Sequence, residues 1–331
     1  MKSNGTLLLT RRDVAALLTI EECIAAVERA FKLHGGGKTT PPGILGIHAK
    51  DGGFHIKAGL LELERTYFAA KVNANFPRNV KQFGLPLIQG VIVLCDGENG
   101  YPLALMDSIE ITIQRTGAAT AVAASQLARP NSKIVTICGC GNQGQISIRA
   151  LAKVFPLENV FAWDADAART ERFAIELSKE LKINVEAVED LAQAVSRSDI
   201  CVTCTPSKQP FLKKEFVLSG TFIAAVGADS PEKQELEQSL IAGNKLIVDL
   251  LEQCASIGEL HHAIASSLVT KGDVHAELGE VIAGVKSGRT SSDEIIIFDS
   301  TGMALQDVMT AALVYEKAVC EGVGAVINLA A

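Results

Sequence analysis

No stretch of this 331-residue chain is both long and apolar enough to cross a bilayer. The most apolar helical pattern, 111–127, is interrupted by Gln114, Arg115 and Gln126, which marks a core helix rather than a membrane span. The mean hydropathy of +0.24 therefore reflects Ala, Val and Ile in a folded interior. Basic clusters are missing too, and with a formal charge of −7 this argues against a nucleic-acid partner. The N-terminal apolar run Leu7-Leu-Leu9 is too short for a secretory signal, and no targeting motif is visible, so cytoplasm is the expected compartment. There is no internal repeat and no low-complexity tract. The eight cysteines are scattered through apolar runs. Cys201-Val-Thr-Cys204 has redox or zinc spacing but no second ligand pair nearby, so these read as structural thiols and no metal is expected. His55 and the pair His261-His262 also lack a Cys or acid cluster that would make them ligands.

What the chain does have is a strand-turn-helix-strand unit from Lys133 to Asp164. An apolar, β-branched run through Cys138 has the composition of a buried parallel strand. Gly139-Cys-Gly141-Asn-Gln-Gly144 follows, then a helical pattern through Ile146, Ala150, Leu151 and Val154, then a second apolar run ending on Asp164. A glycine motif in that context, with an acid roughly 20 residues on, is a dinucleotide fingerprint. Gly139 allows the tight turn, Gly141 admits a pyrophosphate to the backbone, and Gly144 lets helix and strand pack closely. The helix N-terminus offers unpaired N–H groups to phosphate. Asp164 can accept from a ribose 2′-hydroxyl and would repel a 2′-phosphate, so NAD(H) is favoured over NADP(H), with Asp166 as a second acid nearby.

The region before this unit has a different character. Thr19-Ile-Glu-Glu22 is a capping box for a helix with apolar positions Ile20, Cys23, Ile24, Val27 and Phe31, stopped by Gly35-Gly-Gly37. Residues 39–46, with Pro41-Pro42, read as an extended loop. Strand patterns follow at 54–58, 66–73, 87–94 and 102–106, with Asp96-Gly97 and Asn99-Gly100 supplying turn chemistry between the last two. After a helix over 110–127, strands at 184–188, 200–204, 221–226, 245–249 and 294–298 alternate with helical patterns such as 168–181, and a closing helix covers 304–320. The expected fold is α/β, a Rossmann-type doubly wound parallel sheet beside an α+β domain. The domain ranges are 129–303 for the first and 1–128 with 304–331 for the second.

Three residues outside the glycine unit could carry chemistry. Alternation along Tyr67-Phe-Ala-Ala-Lys-Val-Asn73 puts Lys71 on a face with Tyr67, Ala69 and Asn73. Such a lysine either escapes at a solvated face or serves an anionic ligand, and spacing alone favours the solvated face. Arg115 lies in a small-residue helix that buries most sides, so its guanidinium needs a partner: an internal acid such as Asp107, or a ligand carboxylate that its fork would fit. Asp229 follows Val226-Gly-Ala228 at the carboxyl end of an expected parallel strand, where it is a candidate acid/base or a turn and helix cap beside Ser230-Pro231.

Five separated segments, in order, resemble the ornithine cyclodeaminase/μ-crystallin family. They are Ala70-Lys-Val-Asn-Ala-Asn-Phe-Pro77, Ile113-Gln-Arg-Thr-Gly-Ala-Ala119, Gly139-Cys-Gly-Asn-Gln143, Ala225 through Leu236, and Phe298-Asp-Ser-Thr-Gly-Met-Ala-Leu-Gln-Asp307. The resemblance implies a substrate and dimerisation domain beside an NAD-binding domain, a homodimer, and hydride transfer at the α-carbon of a small amino or imino acid. It implies Asp229, Lys71 and Arg115 as catalytic, with Lys71 and Arg115 on the substrate carboxylate and Asp229 on the nitrogen. It places Gly302 at the substrate, and Thr116, Gly139, Gly141, Asn142, Gln143, Asp164, Thr205, Val226, Gly227, Lys233 and Ser300 at the cofactor. Many members carry an arginine in the proline-rich loop and Met-Pro-Ala on the next strand. Here the loop reads Pro41-Pro-Gly-Ile-Leu-Gly46 and the strand His55-Ile-Lys-Ala-Gly59, so Lys57 is a candidate for the replaced charge. That form resembles the reductase branch, which leaves an imino-acid reductase or amino-acid dehydrogenase as the leading expectation. An ornithine or lysine cyclodeaminase is the alternative enzyme, and a μ-crystallin-like binding protein the alternative of another class.

Overall fold

The computed structural model describes residues 5–329 and divides into two compact units, Met1–Arg115 with Met303–Ala331, and Thr116–Gly302. Residues 1–4 and 330–331, which the expected α+β domain included, lie outside the described residues. The first boundary differs from the expected one after residue 128. It falls inside the helix Ser108–Leu127, which continues unbroken through Arg115 and Thr116. The punctuation visible in the sequence, Ala128-Arg-Pro130, ends the helix, whereas the change of spatial neighbours falls earlier, between Arg115 and Thr116. The second boundary lies one residue before the expected one.

In the first unit, Thr19 caps the helix Ile20–Gly35. Its hydroxyl accepts from the Glu22 N–H, and the Glu22 carboxylate accepts from the Thr19 N–H. The buried stripe Cys23, Val27, Ala30 and Phe31 packs on the long helix Ala304–Glu321. Six strands, β1 (Thr6–Leu9), β2 (Gly43–Ala49), β3 (Gly52–Glu62), β4 (Thr66–Asn75), β5 (Ile88–Asp96) and β6 (Pro102–Asp107), build the sheet with a C-terminal strand, Ala325–Ile327. The order is the C-terminal strand, β1, β6, β5, β4, β3, β2, with β1 parallel to β6 and the other pairs antiparallel. Helix Ala304–Glu321 covers β3 and β4. Part of the expected 39–46 loop is strand: β2 starts at Gly43 and pairs with β3 from Gly43↔Ala58 to Ala49↔Gly52. The prolines sit just before it, at a sheet edge where their missing donors cost nothing.

The second unit is a parallel sheet of β7 (Ile134–Cys138), β8 (Asn159–Trp163), β9 (Asn184–Ala187), β10 (Ile200–Thr203), β11 (Phe222–Ala225), β12 (Lys245–Val248), β13 (Ala276–Glu277) and β14 (Ile296–Asp299). Its order, β13-β12-β14-β11-β10-β7-β8-β9, reverses direction between β7 and β10. In such sheets ligands bind beyond the carboxyl ends of the strands at that switch point. The glycine turn after β7 and Thr205 after β10 flank that point, and Val226–Asp229 after β11 and Ser300–Gly302 after β14 follow along the same edge of the sheet. Among the described residues no helix is long and apolar enough to cross a membrane.

Candidate functional site

In the second unit the glycine turn has the geometry its residues require. Gly139 holds φ at +111°, and its N–H donates to the Trp163 carbonyl at 2.9 Å. A Cβ on Gly144 would stand 2.0 Å from the Gly139 carbonyl oxygen, so only glycine permits this strand-to-helix contact. The space around Gly141 is open, and the helix Asn142–Val154 begins there without a side-chain cap. Its first-turn N–H groups are thus available to an anion. Gln143 Oε1 is buried without a hydrogen-bond partner, an acceptor that a bound group could satisfy. Asp164 closes β8: one carboxylate oxygen accepts from Cys140 N–H at 2.8 Å and the other from Asp166 N–H at 3.0 Å. Asp166 accepts from Arg169 N–H at 3.1 Å and so caps the helix Ala167–Leu181. The Arg169 guanidinium lies 3.7 Å from Asp164. These features fit a dinucleotide.

The neighbouring loops carry the other expected residues of this unit. Asp229 is 56% exposed, and its carboxylate pairs with Lys233 Nζ at 2.7 Å. It caps no helix, since the next one, Gln238–Ile241, begins well after it. Glu235, which sequence reasoning did not single out, is fully buried and accepts from Thr205 N–H at 2.5 Å and Gly227 N–H at 3.1 Å. Asp249, also buried and also missed, gathers the loop after β14: it accepts from Ser300 Oγ at 2.9 Å, Thr301 Oγ1 at 3.3 Å and Gly302 N–H at 2.6 Å. Val226 continues β11 through an N–H bond to Thr203 O at 2.9 Å. Thr116 is buried in the long helix, where its carbonyl accepts from Thr120 Oγ1 at 3.1 Å. Cys204 Sγ sits against the carbonyls of Cys138 and Gly139 at 3.4 and 3.3 Å. Among the described residues no group of His, Cys, Asp and Glu could hold a metal ion.

The first unit holds a buried charge cluster that corrects two expectations. Lys71 does not reach a solvated face: it is 3% exposed, and its Nζ lies 2.7 Å from the Asp307 carboxylate. Arg115 pairs not with Asp107 but with the same Asp307, at 3.4 Å from Nε, and its Nη1 donates to Gln306 Oε1 at 3.2 Å. Asp107 instead accepts from the N–H groups of Ile109 and Glu110, at 3.0 and 2.9 Å, at the start of the long helix. Lys57 is buried on β3, directly opposite Lys71 on β4. Burial pulls the Lys71 ammonium down to about 7, with Arg115 and Lys57 acting in the same direction and Asp307 opposing them. Burial alone would raise the Asp307 carboxyl, yet Lys71, Arg115 and Lys57 hold it below the usual carboxylate range. Two cations thus share one carboxylate in a buried interior. Asp307 and Gln306 lie within the quoted Phe298–Asp307 segment, and an acid amid Ala304-Leu-Gln-Asp-Val-Met309 was the available signal.

A doubly wound parallel sheet with this glycine turn, and a mostly antiparallel sheet with a buried charge cluster, define a two-unit Rossmann-type protein. Residues 4–322 match the ornithine cyclodeaminase/mu-crystallin family, and the chain belongs to that family. It is similar to an archaeal alanine dehydrogenase dimer with bound NAD, with a TM-score of 0.93, 39% identity, and 98% of this chain and 99% of that one covered. It is also similar to Thermococcus litoralis Delta(1)-pyrroline-2-carboxylate reductase in complex with NADH and L-proline, with a TM-score of 0.92, 36% identity, and 97% and 100% covered. The iminosuccinate reductase of Paracoccus denitrificans is 34% identical over 96% of this chain and 98% of its own.

Proposed function

We propose that this oxidoreductase reduces a small α-imino acid at its α-carbon, or runs the reverse amino-acid oxidation, with NAD(H) as cofactor. The observation that carries the reading is the buried Lys71–Arg115–Asp307 cluster. Two cations around one fixed carboxylate leave an excess of positive charge in a buried site, where a substrate carboxylate gains most. Arg115 offers a planar fork to it and Lys71 a point charge, with Lys57 behind them. Full-length similarity to reductases and a dehydrogenase of amino and imino acids supports the same chemistry. When bound, NADH would supply hydride to the carbon of a C=N bond. In this reading Lys71 and Arg115 are assigned to the carboxylate, Gly302 to the substrate, and Asp229 to the iminium and the proton on its nitrogen.

Thr116, Gly139, Gly141, Asn142, Gln143, Thr205, Val226, Gly227, Lys233 and Ser300 are assigned to the cofactor, and Asp164 to its ribose. The protein acts as a cytoplasmic homodimer in this reading. The exposed apolar side chains Ile44, Leu45 and Ile47 on edge strand β2 support the dimer. Absorbance of NADH, followed with pyrroline-2-carboxylate, with pyruvate plus ammonia or methylamine, and with oxaloacetate plus ammonia, tests the activity. Consumption with none of them would remove the reductase, and ammonia from ornithine without net NADH change would select a cyclodeaminase.

Two predictions arise here. Lys71 must be protonated to hold a carboxylate, and in the free protein burial pulls it down to about 7. The expected kcat/KM is therefore level below that pH and falls about tenfold per unit above it. The fall in kcat comes at higher pH, because bound carboxylate raises the lysine. Identical profiles for the two parameters would count against Lys71. Separately, Asp164→Ser is expected to lower the NADH:NADPH ratio of kcat/KM by about tenfold or more, since it removes the repulsion of a 2′-phosphate and leaves Arg169 beside it. An unchanged ratio would take Asp164 out of cofactor choice.

A further inference from the structure

Glu235 does something no ordinary core acid does. Its side chain is fully buried, and its two oxygens are divided between two different loops, one accepting from Thr205 N–H and the other from Gly227 N–H. Those amides follow β10 and β11, adjacent parallel strands, so a single carboxylate sets the spacing of two neighbouring loops at the ligand end of the sheet. The fit is close: a Cβ on Gly227 would stand 2.4 Å from Glu235 Oε2. Glu235 is held in turn from behind. Its own N–H donates to Glu259 Oε1 at 2.7 Å, and the Leu236 N–H donates to Glu259 Oε2 at 3.1 Å. Next to Glu259, the Leu260 N–H donates to Asp299 at 2.8 Å, which ties the arrangement to the end of β14. Burying so many carboxyls is costly unless their bonds are needed in place. Burial pushes Glu235 up to about 7, while the Thr205 and Gly227 bonds pull the other way.

We infer that Glu235 is a positioning residue for cofactor binding, which clamps the loops bearing Thr205 and Gly227 at the separation the dinucleotide needs. The inference rests on the reading that this unit binds NADH. Glu235 touches neither substrate nor cofactor and acts through the two amides.

The test is Glu235→Gln in the full chain, with NADH affinity read by fluorescence and KM and kcat read with whichever imine the wild type reduces. Glutamine keeps the volume but turns a donor toward one of the two amides. The NADH Kd and KM are expected to rise about tenfold or more, with the imine KM little changed; the cofactor-free thermal midpoint falls in either case, because an amide donor then faces an N–H in the core. A merely structural Glu235 would lower the midpoint and leave the NADH Kd of the folded protein as it was, and that result would overturn the inference. Should Glu235→Gln fail to fold, Glu235→Asp, whose carboxylate is one methylene too short to reach both amides, decides the matter by the same split. Wild-type protein that bound no NADH would overturn the functional reading and this inference with it, whereas wild-type binding with an unchanged variant overturns this inference alone.

Discussion

Replacing Asp229 by Asn is expected to give a folded protein that binds NADH normally and has lost ~10²–10⁴ of its kcat, the usual contribution of a positioned acid or base. Its place makes this a clean test. Asp229 lies just past the carboxyl end of β11, 56% exposed, so it is not part of the core and its amide isostere should fold. Its carboxylate pairs with Lys233 Nζ at 2.7 Å. A carboxylate can balance an iminium and accept a proton from an ammonium, and asparagine can do neither. Single-turnover measurement under saturating NADH isolates the hydride step, and fluorescence titration checks the cofactor. A variant with kcat within about threefold of wild type would remove Asp229 from the mechanism, because lost general acid–base work is not that small.

How far each part could be read beforehand follows from how local its cause is. The Thr19 capping box, the glycine turn and the alternation of strands with helices are written in adjacent residues, and the structure has them at those places. Lys71 shows the other case. The face it shares with Tyr67 and Ala69 is the buried one, although the opposite face, Phe68, Ala70 and Val72, is the more apolar in sequence. Periodicity separates the faces of a strand but does not say which one another element covers. Here the cover is helix Ala304–Glu321, from the far end of the chain, and it brings Asp307 as the counter-charge. Arg115 does pair with an internal acid, but the acid near it in sequence, Asp107, is not the one near it in space, Asp307. Glu235 and Asp249 were invisible because they serve backbone N–H groups, and no residue type announces that an amide needs an acceptor.

That shared counter-charge makes Asp307→Asn the most destabilising conservative change we expect in the first unit. Removing one partner of a buried ion pair leaves the other uncompensated, at a cost of ~3–5 kcal/mol. Here two cations, Lys71 and Arg115, are stranded at once in a site that keeps Lys71 at 3% exposure. Lysine can relieve the cost by losing its proton, and this gives the deficit a pH signature. In the wild type Lys71 is already lowered to about 7, so its folded form binds fewer protons than the unfolded chain from there up to its ordinary value, 10.5. Stability from this group therefore rises with pH over that window and is level below it. Without Asp307 the folded pKa drops further, and the rising window extends to lower pH. The two curves should run parallel above about pH 7 and diverge below it, with the variant losing up to ~1.4 kcal/mol more per pH unit. Asp307 itself reinforces the contrast only in strong acid: its lowered carboxyl contributes stability above the unfolded value, 3.8, and loses it as pH falls through the folded one. Urea melts of both proteins from pH 5.5 to 8.5 measure the difference. A deficit that is constant across that range would mean that the carboxylate acts by packing alone, and that Lys71 is not the group it holds charged.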